Sequence, residues 1–355
     1  DCWLNVLLES DVLNLFGPTV LGEDTIFPWL SRTRTSEKTG VPTVPGDAHP
    51  LQMYWGMPRR IRLLPPADAD GPCEICGRVD PHLYEHYVTL KYGTNYEGAW
   101  LHPLTPYSYG KEQQPNPGKG QPGGITYRHW VGLVQSDTEN SRRPAQAVLA
   151  LRQVHASWPE LEQVLNGEPR MWAFAYDMDN MKARCWYEGR LPMPRVDPAV
   201  RADHEEHVDR MVRCAVHVAN TLRGQVKEAL FGAGTTRGDM SFVDSRFWQR
   251  TEGAFYASLR DLGPLLQEER DTTGWKVRWL RALQNEATQI YNELSQAGMF
   301  ASVDPGRVAR AGLKLRRAIA SGAKAIRESL DLPQSRKSKK QSARQQSRRG
   351  SKEES

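Results

Sequence analysis

Cys73-Glu74-Ile75-Cys76-Gly77 is the stretch whose residue types and spacing best suit a metal ion. A C-x-x-C turn aims two thiolates at one ion, and tetrahedral zinc needs four donors of that kind. His82 and His86 follow closely. A folded zinc finger, however, needs a longer arm between its ligand pairs, so a second pair upstream of Asp1 is the expected completion of a structural zinc site. The same two thiols also suit a structural or redox role without metal.

The other groups that could do chemistry do not assemble into a catalytic set. His204-Glu205-Glu206-His207 places its histidines at i, i+3, which is not the H-E-x-x-H spacing of a metalloprotease. Asp203, Glu205 and Glu206 read instead as an acidic first turn that complements a helix dipole. His217 reads as a packed or surface residue of the same helix. Cys185 has no His or Asp near it in sequence to make it a nucleophile, and Cys214 falls in an apolar helix seam. Pro115 to Gly124 (PNPGKGQPGG) has a phosphate-cradle composition but lacks the Gly-Lys-Ser/Thr ending and the strand–loop–helix setting. The expectation is a protein that binds and does not catalyse, with a zinc hydrolase as the enzyme alternative.

The strongest binding signal lies in Trp172 to Tyr187, WAFAYDMDNMKARCWY. Trp172, Phe174 and Tyr176 alternate with Ala173 and Ala175, which is the period of a strand with two unlike faces. Ala183 to Tyr187 supplies a second aromatic-rich run. Asp179 and Asn180 tolerate turn geometry, so the two runs read as a hairpin with Asp179-Asn180 at its tip and Lys182 beside it. Arg59, Arg60, Arg62, Lys91 and Lys182 lie on or beside predicted hairpins with Trp55, Tyr92 and Trp186. Cations interleaved with aromatics suit phosphate contact and base stacking, although each taken singly also reads as part of a solvated strand face.

The elements that must position these groups change character along the chain. Up to about Asn140 the sequence is rich in Gly, Pro and aromatics, with a loop feeding a strand over Met53–Leu64 and a hairpin over Tyr84–Gly98 turning at Gly93 and Asn95. Pro144–His155 reads as a helix with Ala147, Val148, Leu151 and Val154 on one face. Asp197-Pro198 is a helix start, after which Val208, Val212, Ala215, Ala219, Leu222, Val226 and Ala229 repeat at 4,3 spacing up to the stop at Gly232 and Gly234. Trp248 to Leu266, Leu280 to Leu294, and Val308 to Leu330 (behind the Asp304-Pro305 cap) give three further seams. The fold class expected is α+β, the remnant of a mixed α/β N-terminal domain followed by a C-terminal four-helix bundle. The boundaries drawn are 1–142 for the partial α/β domain with the C-x-x-C knuckle, 143–196 for the helix and hairpin, 197–331 for the bundle, and 332–355 for a tail.

Composition bounds the partners. The net charge of the 355 residues is +5, but Gln334 to Ser355 holds eight Lys/Arg against two Glu. The rest is close to neutral, so any nucleic-acid face there must be a local patch. The tail is Ser, Gln, Arg and Lys with no large apolar residue; it is expected to be disordered, as a nucleic-acid tether or a solubilising terminus. No apolar run approaches the ~20 residues of a membrane span. Five cysteines and no basic lead-in at Asp1-Cys2-Trp3 point to a reduced, cytoplasmic setting. The chain opens in mid-pattern, which reads as a C-terminal fragment.

Taken in order, the LNVL opening, the Trp55-to-Arg62 loop–strand, C-x-x-C-G at Cys73–Gly77, Tyr84 with Lys91 seven residues on, Trp100-x-His102-Pro103, YDMDNMKARCW and four terminal helices resemble one family. It is the CasA family, the large subunit of the prokaryotic type I-E CRISPR Cascade surveillance complex. The resemblance implies an antiviral-defence binding protein in a complex whose guide RNA reads sequence by pairing. Its partners would be double-stranded target DNA, the guide RNA indirectly, the other Cascade subunits including the small-subunit dimer, and a helicase-nuclease. It maps a duplex-opening wedge onto Asp179 and Asn180 and a motif-proximal lysine onto Lys91. The family's N-terminal portion, with its motif-reading loop and its other C-x-x-C, has no counterpart in the sequence. The remaining alternative is a non-catalytic helical scaffold with a structural zinc knuckle.

Overall fold

The computed structural model describes residues 4–8, 40–47, 52–55, 60–68, 71–90, 94–111, 114–120, 123–137, 141–157, 168–179, 182–232, 240–296 and 303–333. Its strands are β1 (Asn5–Leu8), β2 (Arg60–Leu63), β3 (Ala67–Asp68), β4 (His82–Leu83), β5 (Tyr87–Leu90), β6 (Tyr107–Tyr109), β7 (Pro115–Pro117), β8 (Arg142–Arg143), β9 (Arg170–Asp179) and β10 (Lys182–Pro192). Its helices are α1 (Gln52–Trp55), α2 (Trp130–Leu133), α3 (Gln146–Ser157), α4 (Arg201–Phe231), α5 (Ser241–Gln267), α6 (Thr273–Gln296), α7 (Pro305–Ala318) and α8 (Lys324–Leu330). The α+β class holds. The chain divides into two compact units, one of Leu15–Pro103 with Gly110–Pro115, the other of Asp1–Asn14, Leu104–Tyr109 and Asn116–Ser355. The hairpin and the terminal helices fall in the same unit.

In the first unit β2 pairs antiparallel with β5, from Arg60 opposite Leu90 to Leu63 opposite Tyr87, and β3 pairs with β4. This corrects the hairpin expected over Tyr84–Gly98. Tyr87-Val88-Thr89-Leu90 has strand-forming side chains and takes Arg60–Leu63 as its partner. Asn95, Glu97 and Gly98 have poor strand propensity, and residues 95–97 instead bracket Thr43, whose N–H and C=O bond to Asn95 and Glu97 at 2.8 and 3.0 Å.

In the second unit the predicted seams become the core. Val208, Val212, Ala215, Ala219, Leu222, Val226 and Ala229 of α4 are all buried, as are Leu280, Leu283, Ala287, Ile290 and Leu294 of α6. α4 packs against α5, α6, α7 and α8. The caps are those the sequence indicates. Asp197 accepts from Ala199 N at 2.9 Å, Gly232 ends α4 at φ 75°, and Asp304 accepts from Gly306 N and Arg307 N at 3.0 Å each. Arg307 then donates to the Ala229 and Leu230 carbonyls at 3.0 and 3.1 Å, satisfying the open end of α4.

The fourth seam is not one helix. It breaks between α7 and α8, where the Ile319 N–H bonds back to the Leu315 and Arg317 carbonyls. The seam residues Leu315, Ile319, Ile326 and Leu330 remain buried on both sides of the break. Ser321 and Gly322 are weak helix formers, and the break costs no core contact. The helical core also admits a residue from outside the four seams. Tyr127, in a short 3-10 turn capped by Thr126, stacks on Phe255 at 4.4 Å and meets Trp248 and Trp279 edge-on at 5.1 and 6.1 Å. A ring of this size removes about 150–250 Å² from water, about 4–6 kcal/mol before entropy.

Candidate nucleic-acid interface

β9 and β10 form a long antiparallel ladder running from Arg170 opposite Pro192 to Asp179 opposite Lys182. β1 pairs along the root of β9, from Asn5 opposite Phe174 to Leu8 opposite Met171. Ten residues of β9 at about 3.4 Å each give a finger roughly 30 Å long. Its two faces are sorted in an unexpected way. Met171, Ala173 and Ala175 are buried, while Trp172 and Phe174 are half-buried and Tyr176 and Trp186 keep 44% and 40% of their surface in water.

The small residues face inward because a loop presses on them. A Cβ at Gly189, opposite Ala173, would lie 2.7 Å from the Ile125 carbonyl oxygen. A Cβ at Gly120 would lie 2.7 Å from the Tyr176 carbonyl oxygen and 3.0 Å from Ala175 Cβ. A side chain at 120 or 189 would run into backbone, and at Gly120 the Ala175 methyl already closes the remaining space. The Gly-rich run from Pro115 is thus a brace for the hairpin. A lone Gly in a strand pattern signals such an approach, and Gly189 is the residue by which sequence reasoning could have found it.

The outer end of the finger is tied by charge. A bulge between Ala183 and Cys185 leaves Arg184 as the extra residue. Its guanidinium donates to the buried Asp177 at 2.8 Å and lies 3.9 Å from Asp179. Asp177 occupies an inward position where an apolar residue would be expected, and Arg184 compensates it. Asp179 and Lys182 are exposed and face each other across the last pair. Asn180 and Lys91 lie outside the described residues, as do Arg59 and Tyr92. Arg62 is exposed on β2.

Cys73 and Cys76 sit in the turn that a metal knuckle requires. Gly77 N donates to the Cys73 carbonyl and Cys73 N to the Arg78 carbonyl, both at 2.8 Å, with Gly77 at φ 69°. The backbone N–H groups of Cys76 and Ile75, with the Cys76 side chain, hold the Cys73 thiol below its ordinary pKa. That favours the thiolate which zinc needs, so the pair fits half of a tetrahedral set. Among the described residues no third His, Cys, Asp or Glu completes it. His82 is engaged with Asp68 at 3.1 Å.

The remaining candidates are accounted for by packing. His204 is buried, and burial pushes its pKa down to about 4. His207 contacts the Asp203 carbonyl at 2.8 Å, Thr272 at 3.2 Å and the Trp275 ring. Cys214 is buried with its thiol pushed up to about 12. Cys185 is exposed on β10. Among the described residues no helix is long and apolar enough to cross a membrane.

Residues 1–290 match the family described as CRISPR-associated protein Cse1. The chain belongs to the Cse1 family. The family match spans the braced finger, α4 and α5, and most of α6. Solved structures similar in fold include a CRISPR RNA-guided surveillance complex chain (16% identity, TM-score 0.54, 89% of this chain and 59% of that one). Thermobifida fusca Cse1 is similar at 13% identity and TM-score 0.52, covering 79% of this chain and 52% of that one. Cse1 from Acidimicrobium ferrooxidans is similar at 16% identity and TM-score 0.50, covering 90% and 65%. The chain thus spans between about half and two thirds of the length of these Cse1-like chains. A search of curated proteins finds no match.

Proposed function

We propose that this chain acts within the large subunit of a CRISPR RNA-guided surveillance complex and that its hairpin helps to open target DNA beside a short recognition motif. The observation that carries the reading is the braced finger. Its root is paired with β1, its inward face is pressed by Gly120 and Ile125, and Arg184 ties its end to Asp177. A finger held this way can transmit force to its tip.

On this reading Lys91 and Lys182 hold phosphates while the Asp179-Asn180 tip enters the duplex. Unstacking costs a few kcal/mol per step. Guide-RNA pairing offsets the broken DNA pairs in a nearly balanced exchange. The tip therefore lowers the barrier to the first opened pair; it does not supply the total. The reading assigns the chain binding and no catalytic step. Target cleavage falls to a recruited helicase-nuclease, and the terminal helices are the side turned to the other subunits, including the small-subunit dimer. It places the protein in the prokaryotic cytoplasm, where guide and target meet. Zinc, held by Cys73 and Cys76 with donors outside the described residues, would be structural.

The test is to replace Asp179 and Asn180 together by glycine in the assembled complex and follow strand opening with 2-aminopurine in the target, alongside native mass measurement of assembly. Loss of opening with assembly intact supports the reading. Unchanged opening overturns it and leaves a non-catalytic scaffold.

A further inference from the structure

The outward face of the finger carries rings where a solvated sheet would carry polar side chains. Trp172 and Phe174 lie 4.6 Å apart between centroids, and Phe174 and Trp186 stack at 5.4 Å with planes 27° apart. Tyr176 meets Trp186 edge-on at 4.9 Å. The indole N–H of Trp186 donates to Glu188 at 3.1 Å, which fixes that ring on the strand. The result is a continuous column of rings along the finger, ending near the tip, with its two outermost members substantially in water.

We infer that this column is a stacking platform for unpaired nucleobases, a binding site for single-stranded nucleic acid distinct from the tip itself. The inference rests on the function proposed above and names the ligand of the same finger. Two observations choose bases over an apolar protein surface. Arg190, exposed and opposite Trp172, sets a cation on the ring face at the root of the column, and the exposed Lys182, paired with Asp179, sets another beyond its far end at the tip, as a phosphate backbone requires. The column also leads away from the point where pairs would be parted. Bases released there lose their stacking partners at a cost of a few kcal/mol per step. A ring platform returns about 1–3 kcal/mol per base without regard to sequence. The carboxylate of Glu188 opposes a phosphate on this face, and its hydrogen bond to Trp186 holds it at the ring edge.

The test is fluorescence anisotropy of labelled (dT)12 with the full chain between 50 and 200 mM NaCl, for Trp186→Leu, Tyr176→Leu, Trp186→Phe and Lys182→Gln, with thermal melts as a folding control. Leucine keeps the surface apolar but cannot stack. Each leucine variant is expected to weaken binding about five- to a hundredfold with the salt slope unchanged, because no phosphate contact is lost. Trp186→Phe should stay within about threefold, and Lys182→Gln should lower the salt slope by about one. Wild-type affinity in both leucine variants overturns the inference; if they also fail to assemble with other subunits, the face is a protein interface. A phenylalanine variant as weak as the leucine one overturns it too. Because (dT)12 needs no opening, a tip variant that still opens duplex would sink the function proposed above and leave this result readable.

Discussion

Arg128 donates its Nε–H to His129 Nε2 across 3.1 Å, so that nitrogen must be an unprotonated acceptor. Nδ1 of the ring lies 3.2 Å from the Thr126 backbone N and 3.3 Å from the Thr126 carbonyl oxygen; with Nε2 accepting from Arg128, a neutral ring carries its proton on Nδ1 and donates to that carbonyl. Burial, aided by the Arg128 charge, pushes the His129 pKa down to about 3. His204 is pushed down to about 4 by burial.

Both histidines are therefore neutral in the fold but free to protonate at about 6.5 when unfolded. Above pH 6.5 neither state binds the protons and stability is at its full value. As pH falls below 6.5 the unfolded chain gains protons that the fold refuses, so stability drops down to about pH 4 for His204 and about pH 3 for His129. For His204 the total loss is about 3 kcal/mol. Urea midpoints at pH 7, 6 and 5 should fall steadily, and His204→Gln should shallow that fall by about 1.4 kcal/mol per pH unit. Parallel profiles for the variant and its parent would refute the assignment.

The thiols should differ in reactivity in a set order. Cys73 is partly exposed and held towards the thiolate by backbone N–H groups, whereas Cys214 is buried with its thiol raised to about 12. Alkylation by iodoacetamide at pH 7.5, followed by peptide mass mapping, should label Cys73 first and leave Cys214 unmodified until the protein unfolds. If zinc occupies the knuckle, adding it slows labelling of Cys73 and Cys76 and leaves Cys185 unaffected. Equal labelling of Cys73 with and without zinc would remove the metal from that turn.

The helices were legible because burial repeats with the helical period. Every α4 position picked at 4,3 spacing, from Val208 to Ala229, is buried. The hairpin was legible in its two strands but not in its faces. Trp172 and Ala173 alternate either way round, and large rings are the usual choice for the inside. Only the close approaches at Gly120 and Gly189, made by a loop distant in sequence, decide that alanine goes in. Tyr127 was illegible for a related reason. A single aromatic in a Gly/Pro-rich stretch has no period, and its place among Trp248, Phe255 and Trp279 is set by tertiary packing. Asp177 and Arg184 meet because a bulge re-aims one side chain, which alternation cannot register.

The Tyr127 hydroxyl lies 2.7 Å from Thr251 Oγ1 in the buried core. Thr251 spends its own proton on the Phe247 carbonyl at 2.7 Å, so Tyr127 is the donor. Thr251→Val keeps the shape and strands that donor, which should cost about 1–3 kcal/mol. Tyr127→Phe removes the donor and should cost about 1 kcal/mol. The double variant should be less destabilised than the sum of the two, measured by urea unfolding. Strict additivity would mean that the pair does not interact.

Glycines separate the brace from the helices. Gly120→Ala and Gly189→Ala would each drive a Cβ to 2.7 Å from a carbonyl oxygen, and backbone cannot swing away as a flexible side chain can. Each should cost about 1–3 kcal/mol as overpacking. By contrast, Gly224 in α4 and Gly253 in α5 are exposed, with nothing within 4 Å of an added Cβ. Alanine there should stabilise by about 0.5–1 kcal/mol through helix propensity. Thermal melts of the four variants should move in opposite directions by pair. If Gly189→Ala melts no lower than its parent, the loop does not press on the finger, and the argument that the hairpin is braced fails with it.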